Sequence, residues 1–296
     1  MAHLPTLLVA GNAAAAGIRP GETPLAFIQR WIRQRMPEMG YHRAALADRV
    51  LVVQASTGAG KSTVLPVGVF RLLRGERAAR APFRGAGVLC TQPRVLTALK
   101  LAEDVSAERV LGGRRVRLNP DMVLGETVSY LTGPVSSGPP AGLVFATAGV
   151  LAAQLRLMGD TELMGRYRVI QVDEAHERSQ DTDMLMLLLR HFYQRNAGNE
   201  RLPFLLLTSA TFDALGFAAF FELGPANVVE VKGRAFPIRE HFAPAAVADY
   251  AEAAATTVLA IHARDADPPG QGDVLVFVPG AAEARAVAER LERANE

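Results

Sequence analysis

Along the chain, short runs of apolar and β-branched residues alternate with longer segments in which apolar positions recur every three or four residues. The runs are RVLVVQ (49–54), GVLCT (87–91), LVFAT (143–147), RVIQV (168–172), FLLLTS (204–209) and VVEV (228–231). Short, nearly continuous apolar runs of this kind mark strands buried on both faces. The segments between them are long enough for helical crossovers, which parallel strands require. The alternation therefore predicts an α/β fold, a mostly parallel sheet with helices on both faces.

Residues 24–37 place Phe27, Ile28, Trp31 and Ile32 on one helical face, a stripe that predicts packing against the sheet. SSGPPAG (136–142) and DADPPGQGD (265–273) read as loops, and the second precedes VLVFVP (274–279), a further expected strand. The first alternating series ends near KGRAFPIRE (232–240). The expected organisation is an extension with an amphipathic helix over 1–40, an α/β domain over 41–235, and the start of another domain over 236–296.

With 296 residues, 49% of them apolar, the chain readily supplies a buried core. A net charge of +2 does not by itself suggest nucleic acid. The single cysteine, Cys90, excludes an internal disulfide and a zinc ribbon, and fits a reducing, intracellular compartment, cytoplasmic or nuclear. The apolar stretch near the N-terminus is short and lacks a basic lead-in, so neither a signal peptide nor a membrane segment is expected.

Several predicted strands run directly into polar residues: Ser56–Ser62 after the first, Thr91–Arg94 after the second, Asp173–His176 after RVIQV. In open α/β sheets ligands bind at these carboxyl ends. Ser56, Thr57, Gly58, Ala59, Gly60, Lys61, Ser62 and Thr63 form a phosphate loop between strand and helix. Its glycines turn backbone N–H groups inward, Lys61 reaches the β and γ phosphates, and Ser62 ligates Mg²⁺. Ala55 stands where the first glycine of the pattern normally sits, and Pro66 falls close inside the expected helix, where it would kink or shorten it unless the first turn absorbs the missing donor. The carboxylates Asp173 and Glu174 point to opposite faces of the chain, so their roles can differ. Asp173 is assigned to Mg²⁺ and Glu174 to the attacking water, while His176 senses the γ-phosphate or couples to a neighbouring domain.

The chain resembles the DEAH-box helicases of superfamily 2 over roughly residues 45–290. ASTGAGKST (55–63) is similar to the family's motif I, TQPRVLTALKLAEDVS (91–106) to motif Ia, and LGETVSY (124–130) with FATAGVLAAQL (145–155) to the stretch leading into motif Ib. VDEAHERSQDTDMLMLLLR (172–190) resembles motif II, TSAT (208–211) motif III and LVFVPG (275–280) motif IV. The order matches the family's. The resemblance implies a RecA-like domain that binds ATP or another NTP with Mg²⁺, followed by a second RecA-like domain, with single-stranded RNA or sometimes DNA crossing both. It implies that Thr91, Gln92, Arg94, Thr147 and Gly149 touch the nucleic-acid backbone, and that Ser209 and Thr211 couple nucleotide state to strand movement. Val95 and Ala148 depart from the family, standing where a second arginine and a polar residue are usual.

The family's motif VI, whose arginines reach the γ-phosphate, has no counterpart after Val278. The expectation is therefore a truncated second RecA-like domain whose remainder is supplied in cis or trans, with weak nucleotide binding and slow turnover by this chain alone. The leading reading is an RNA-dependent NTPase and helicase module. The alternatives are a nucleotide-binding scaffold or split-motor subunit without autonomous hydrolysis, or a DNA translocase of the same superfamily.

Overall fold

The structure, a computed structural model, describes residues 9–10, 19, 21–36, 45–56, 58–77, 87–111, 114–117, 119–133, 135–137, 142–210, 214–232, 240–264 and 274–294. They fall into two compact units, Met1–Ala235 and Phe236–Glu296.

The first unit is built on an eight-stranded sheet in the order β1-β10-β2-β9-β8-β3-β7-β6. Its strands are β1 (Val9–Ala10), β2 (Val50–Ala55), β3 (Gly87–Gln92), β6 (Val128–Leu131), β7 (Leu143–Thr147), β8 (Tyr167–Val172), β9 (Phe204–Ser209) and β10 (Val228–Lys232). All neighbours are parallel except β1, which pairs antiparallel with β10 at one edge. Strands β4 (Glu108–Leu111) and β5 (Arg114–Arg117) form a separate antiparallel ribbon. Strands β3, β8 and β9 are buried along their whole length, as both-face coverage demands.

Alternate residues of each strand feed two cores. On one face Leu51, Val53, Cys90, Phe145 and Leu206 pack against α1 (Pro24–Arg35), α2 (Val64–Arg77) and α3 (Val95–Ser106). On the other, Val52, Leu89, Val144, Ile170 and Leu205 meet α4 (Ala148–Leu157), α5 (Asp160–Arg166), α6 (Gln180–Arg195) and α7 (Ala214–Phe220). The predicted stripe Phe27, Ile28, Trp31, Ile32 is buried in the first core. Thr23 caps α1 by accepting from the Ala26 N–H at 3.2 Å, and Pro24 opens its first turn. Pro66 falls in the first turn of α2, where no helical carbonyl awaits its missing N–H, and the helix runs on to Arg77.

The second unit contains α8 (Tyr250–Arg264) and α9 (Ala281–Arg293). Arg290 joins them by donating to Asp249 at 2.9 Å and Glu252 at 3.1 Å. The expected strand VLVFVP is corrected here: residues 274–278 are extended but pair with no strand among the described residues. A strand is made by a neighbour's hydrogen bonds, and apolar sequence alone does not provide one.

Candidate nucleotide site

Parallel register brings the chemistry to one edge. Residue 54 of β2 pairs with Ser209 of β9, Val172 of β8 pairs with Leu207 of β9 and Thr91 of β3, and Gln92 of β3 pairs with Thr147 of β7. The carboxyl ends of five adjacent strands therefore carry, in spatial order, Thr147, Gln92, Asp173, Ser209 and the phosphate loop. This is the ligand edge of an open α/β sheet.

In the loop, Gly58 and Gly60 have φ of 78° and 77°, a backbone that side-chain-bearing residues rarely adopt. The turn closes through Ala59 N–H to Ser56 O at 3.2 Å, and Leu65 N–H to Gly60 O at 3.0 Å starts α2. Among the described residues, the N–H groups of Gly58, Gly60, Lys61 and Ser62 donate to no main-chain carbonyl, which leaves a nest of donors for an anion. Thr57 lies outside the described residues. Ser62 and Thr63 are half-buried at the head of α2. The Gln171 amide, buried in β8, donates to Lys61 O at 2.7 Å and ties the loop to the middle of the sheet.

Lys61 is buried, and its Nζ sits 2.9 Å from Glu174 Oε1. The other Glu174 oxygen is 3.3 Å from His176 Nδ1. His176 thus lies against the carboxylate that holds the loop lysine, without a hydrogen bond from Nδ1. Glu174 has a φ of 49°, left-handed for a non-glycine residue, which swings its side chain away from that of Asp173. Asp173 is buried and doubly held: Thr208 Oγ1 donates to Oδ1 at 2.6 Å and Gln92 Nε2 donates to Oδ2 at 2.9 Å. The backbone is pinned too, by Asp173 N–H to Thr91 O and Ala175 N–H to Thr208 O.

The expected nucleic-acid residues separate into two groups. Arg94 is exposed at the start of α3, 3.9 Å from Glu177, and Thr147 and Gly149 lie at the start of α4 without a side-chain cap from Thr147. Thr91 and Gln92, by contrast, are each 1% exposed. Gln92 donates its amide to Asp173, and Thr91 lies inside the sheet. Ser209 is also buried, and Thr211 lies outside the described residues. Sequence reasoning placed Thr208 in TSAT but missed its bond to Asp173, and it missed Gln171, whose signal was only a polar residue inside an otherwise apolar strand. Burial raises the Cys90 thiol far above its ordinary range, so it is no nucleophile here.

Ser62 and Asp173 offer the hard oxygen donors that Mg²⁺ prefers. Among the described residues no group of three or more His, Cys, Asp or Glu is placed to hold a metal. No described helix is long and apolar enough to cross a membrane.

A RecA-like sheet with a phosphate loop after one strand and an acidic pair two strands away defines a P-loop nucleoside triphosphatase fold. The family description "DEAD/DEAH box helicase" matches residues 41–216, and the chain belongs to that family, in its DEAH-type branch. It is 40% identical over 300 residues, 98% of this chain, to the African swine fever virus protein named "Putative RNA Helicase B962L". It is 34% identical over 253 residues, 82% of the chain, to the Caenorhabditis elegans "Probable ATP-dependent RNA helicase DHX35 homolog". The chain spans 30% of the length of each. Among solved structures, the Escherichia coli DEAH/RHA helicase HrpB superposes with a TM-score of 0.62 at 26% identity, covering 91% of this chain and 29% of that one.

Proposed function

We propose that the first unit binds a nucleoside triphosphate with Mg²⁺, hydrolyses it, and couples turnover to movement along single-stranded RNA. The observation that carries this reading is the Lys61–Glu174 pair beside a fully anchored Asp173. Lys61 is held by the one carboxylate that hydrolysis needs free. When phosphates attract Lys61, Glu174 is released to orient the attacking water and take its proton, with His176 beside its second oxygen. Asp173 keeps its place through Thr208 and Gln92 and, with Ser62, would hold the nucleotide's Mg²⁺. Such an ion would supply charge stabilisation to the phosphate oxygens. The free N–H groups of the loop and the N-terminus of α2 hold the phosphates.

Arg94 and the first turn of α4 supply sequence-independent contacts to the polymer, and Ser209 and Thr211 link them to the nucleotide. The relatives' names favour ATP and RNA over other nucleotides and DNA. Residues 236–296 are assigned to the start of the second RecA-like domain, and the arginines that complete the site come from that domain, in cis or in trans. The test is ATP turnover by this chain with and without single-stranded RNA or DNA. Slow turnover that Lys61→Ala abolishes is the expected result for this chain alone; robust RNA-stimulated turnover would show that the site needs no further arginines, and turnover indifferent to Lys61→Ala sinks the proposal.

A further inference from the structure

Helix α1 touches no residue of the acidic pair, yet it is built against the phosphate loop. Pro24, Leu25 and Ile28 on α1 share with Ala59, Gly60 and Lys61 the wall of a cavity of about 20 Å³, the space of roughly one water. Ala55, the loop's departure from the usual glycine, lines the same cavity, so its methyl is received by α1 and costs the loop no clash. Beyond the loop α1 grips the helix that carries it. A Cβ placed on Gly68 of α2 would lie 2.6 and 2.8 Å from the two Leu25 methyls and 3.2 Å from Leu25 Cγ. Leu25 therefore packs as a knob over Gly68, and any side chain at position 68 has to push the Leu25 tip aside. Beside it Gln29 Nε2 donates to Gly68 O at 2.8 Å. Glycine inside a helix costs about 1 kcal/mol relative to alanine, so the notch is kept at the expense of α2 itself.

We propose that α1 is the strut that positions the phosphate loop, acting through the Leu25 knob, the Gly68 notch and the Gln29 hydrogen bond, so that nucleotide affinity is set by a helix outside the nucleotide site. Leu25, Gln29 and Gly68 are positioning residues. The inference rests on the nucleotide reading above. Gly68 lies five residues past Thr63, so a displacement of α2 at the notch is carried through a rigid helix to Lys61 and Ser62.

The test measures ATP affinity in the presence of Mg²⁺ by calorimetry, on the full chain, together with thermal unfolding. Gly68→Leu drives α1 and α2 apart, and ATP affinity falls about tenfold while the chain still unfolds in one cooperative transition, leucine's better helix propensity offsetting part of the overpacking. Leu25→Ala combined with Gly68→Leu exchanges the large and small partners and restores affinity to within about threefold of wild type. Should Gly68→Leu fail to fold, Leu25→Ala alone empties the notch and loses affinity, whereas Leu25→Met, which refills it, does not. Wild-type ATP binding that depends on Lys61 but is unchanged in Gly68→Leu or Leu25→Ala overturns the strut. A folded double variant that stays as weak as Gly68→Leu also overturns it. Absence of Lys61-dependent ATP binding in the wild type overturns the nucleotide reading instead, so the two failures are distinct.

Discussion

At the scale of single residues, the site is a set of carboxylates whose freedom has been rationed. Asp173 is fixed by two donors, and removing one exposes the cost of burying a carboxylate. Thr208→Val keeps the shape but deletes the 2.6 Å bond, and should destabilise the chain by about 1–3 kcal/mol and slow hydrolysis more than it weakens ATP binding. Denaturant titration and steady-state kinetics check this; a variant with wild-type stability and turnover would mean that Gln92 alone holds the acid. Glu174 is in the opposite situation, bound to Lys61 before any phosphate arrives. Glu174→Gln removes the competing charge, so ATP binding should tighten several-fold while turnover falls about 100-fold or more. Equal affinities for variant and wild type would show that the ion pair does not compete with nucleotide. The phosphate loop and Asp173–His176 were legible in the chain because their spacing is local. The Thr208–Asp173 and Gln171–Lys61 bonds were not, because the partners lie 35 and 110 residues apart, and no local pattern encodes such a pair.

At the scale of elements, burial on both faces made the buried strands readable as apolar runs, all six of them to within a residue at each end. Strand β6, VSYL, escaped because it is an edge strand with two half-buried residues and polar Ser129 among them. VLVFVP misled for the converse reason, since it has the composition of a strand and no neighbour among the described residues. The opposite end of the sheet holds a second feature invisible to pattern reading. Phe204, at the start of β9, is flanked by the guanidinium groups of Arg49 and Arg168, 4.7 and 5.5 Å from its ring centroid. Both donate to Glu200 O, at 3.3 and 3.1 Å. Burial, reinforced by the neighbouring Arg49 charge, pushes Arg168 down to about 9. A cation whose folded value lies below its unfolded one is a liability while charged in both states. The penalty is therefore full below about pH 9 and shrinks as pH rises from there toward the ordinary arginine range. Arg168→Met, which leaves Glu200 O to Arg49, should raise stability at pH 7 by about 1 kcal/mol, with the advantage narrowing at alkaline pH. A lower melting temperature for the variant would show that the ring contact and carbonyl bond outweigh desolvation.

At the scale of the whole molecule, the two units differ in how they are held. The first buries apolar side chains on both faces of its sheet. Among the described residues, the second buries only Ala251, Ala255 and Val287, while Phe242, Leu275 and Phe277 are 85%, 77% and 88% exposed. Beside α8, residues 274–277 line an open apolar groove of about 400 Å³ with Tyr250, Val258 and Ile261. Apolar surface gathered in one unit drives association in water at roughly 25 cal/mol per Å² removed from solvent. The chain should therefore bind a hydrophobic dye in its native state and self-associate as concentration rises, both through the second unit. Leu275→Ser with Phe277→Ser removes the two most protruding side chains of the 274–277 segment without touching either core of the first unit. Dye fluorescence and sedimentation should then fall toward those of a monomer that binds no dye, while the main thermal transition, set by the first unit's sheet, stays in place. If the transition drops instead, residues 274–277 contribute to the stability of the sheet unit; if dye binding persists, the sticky surface lies elsewhere.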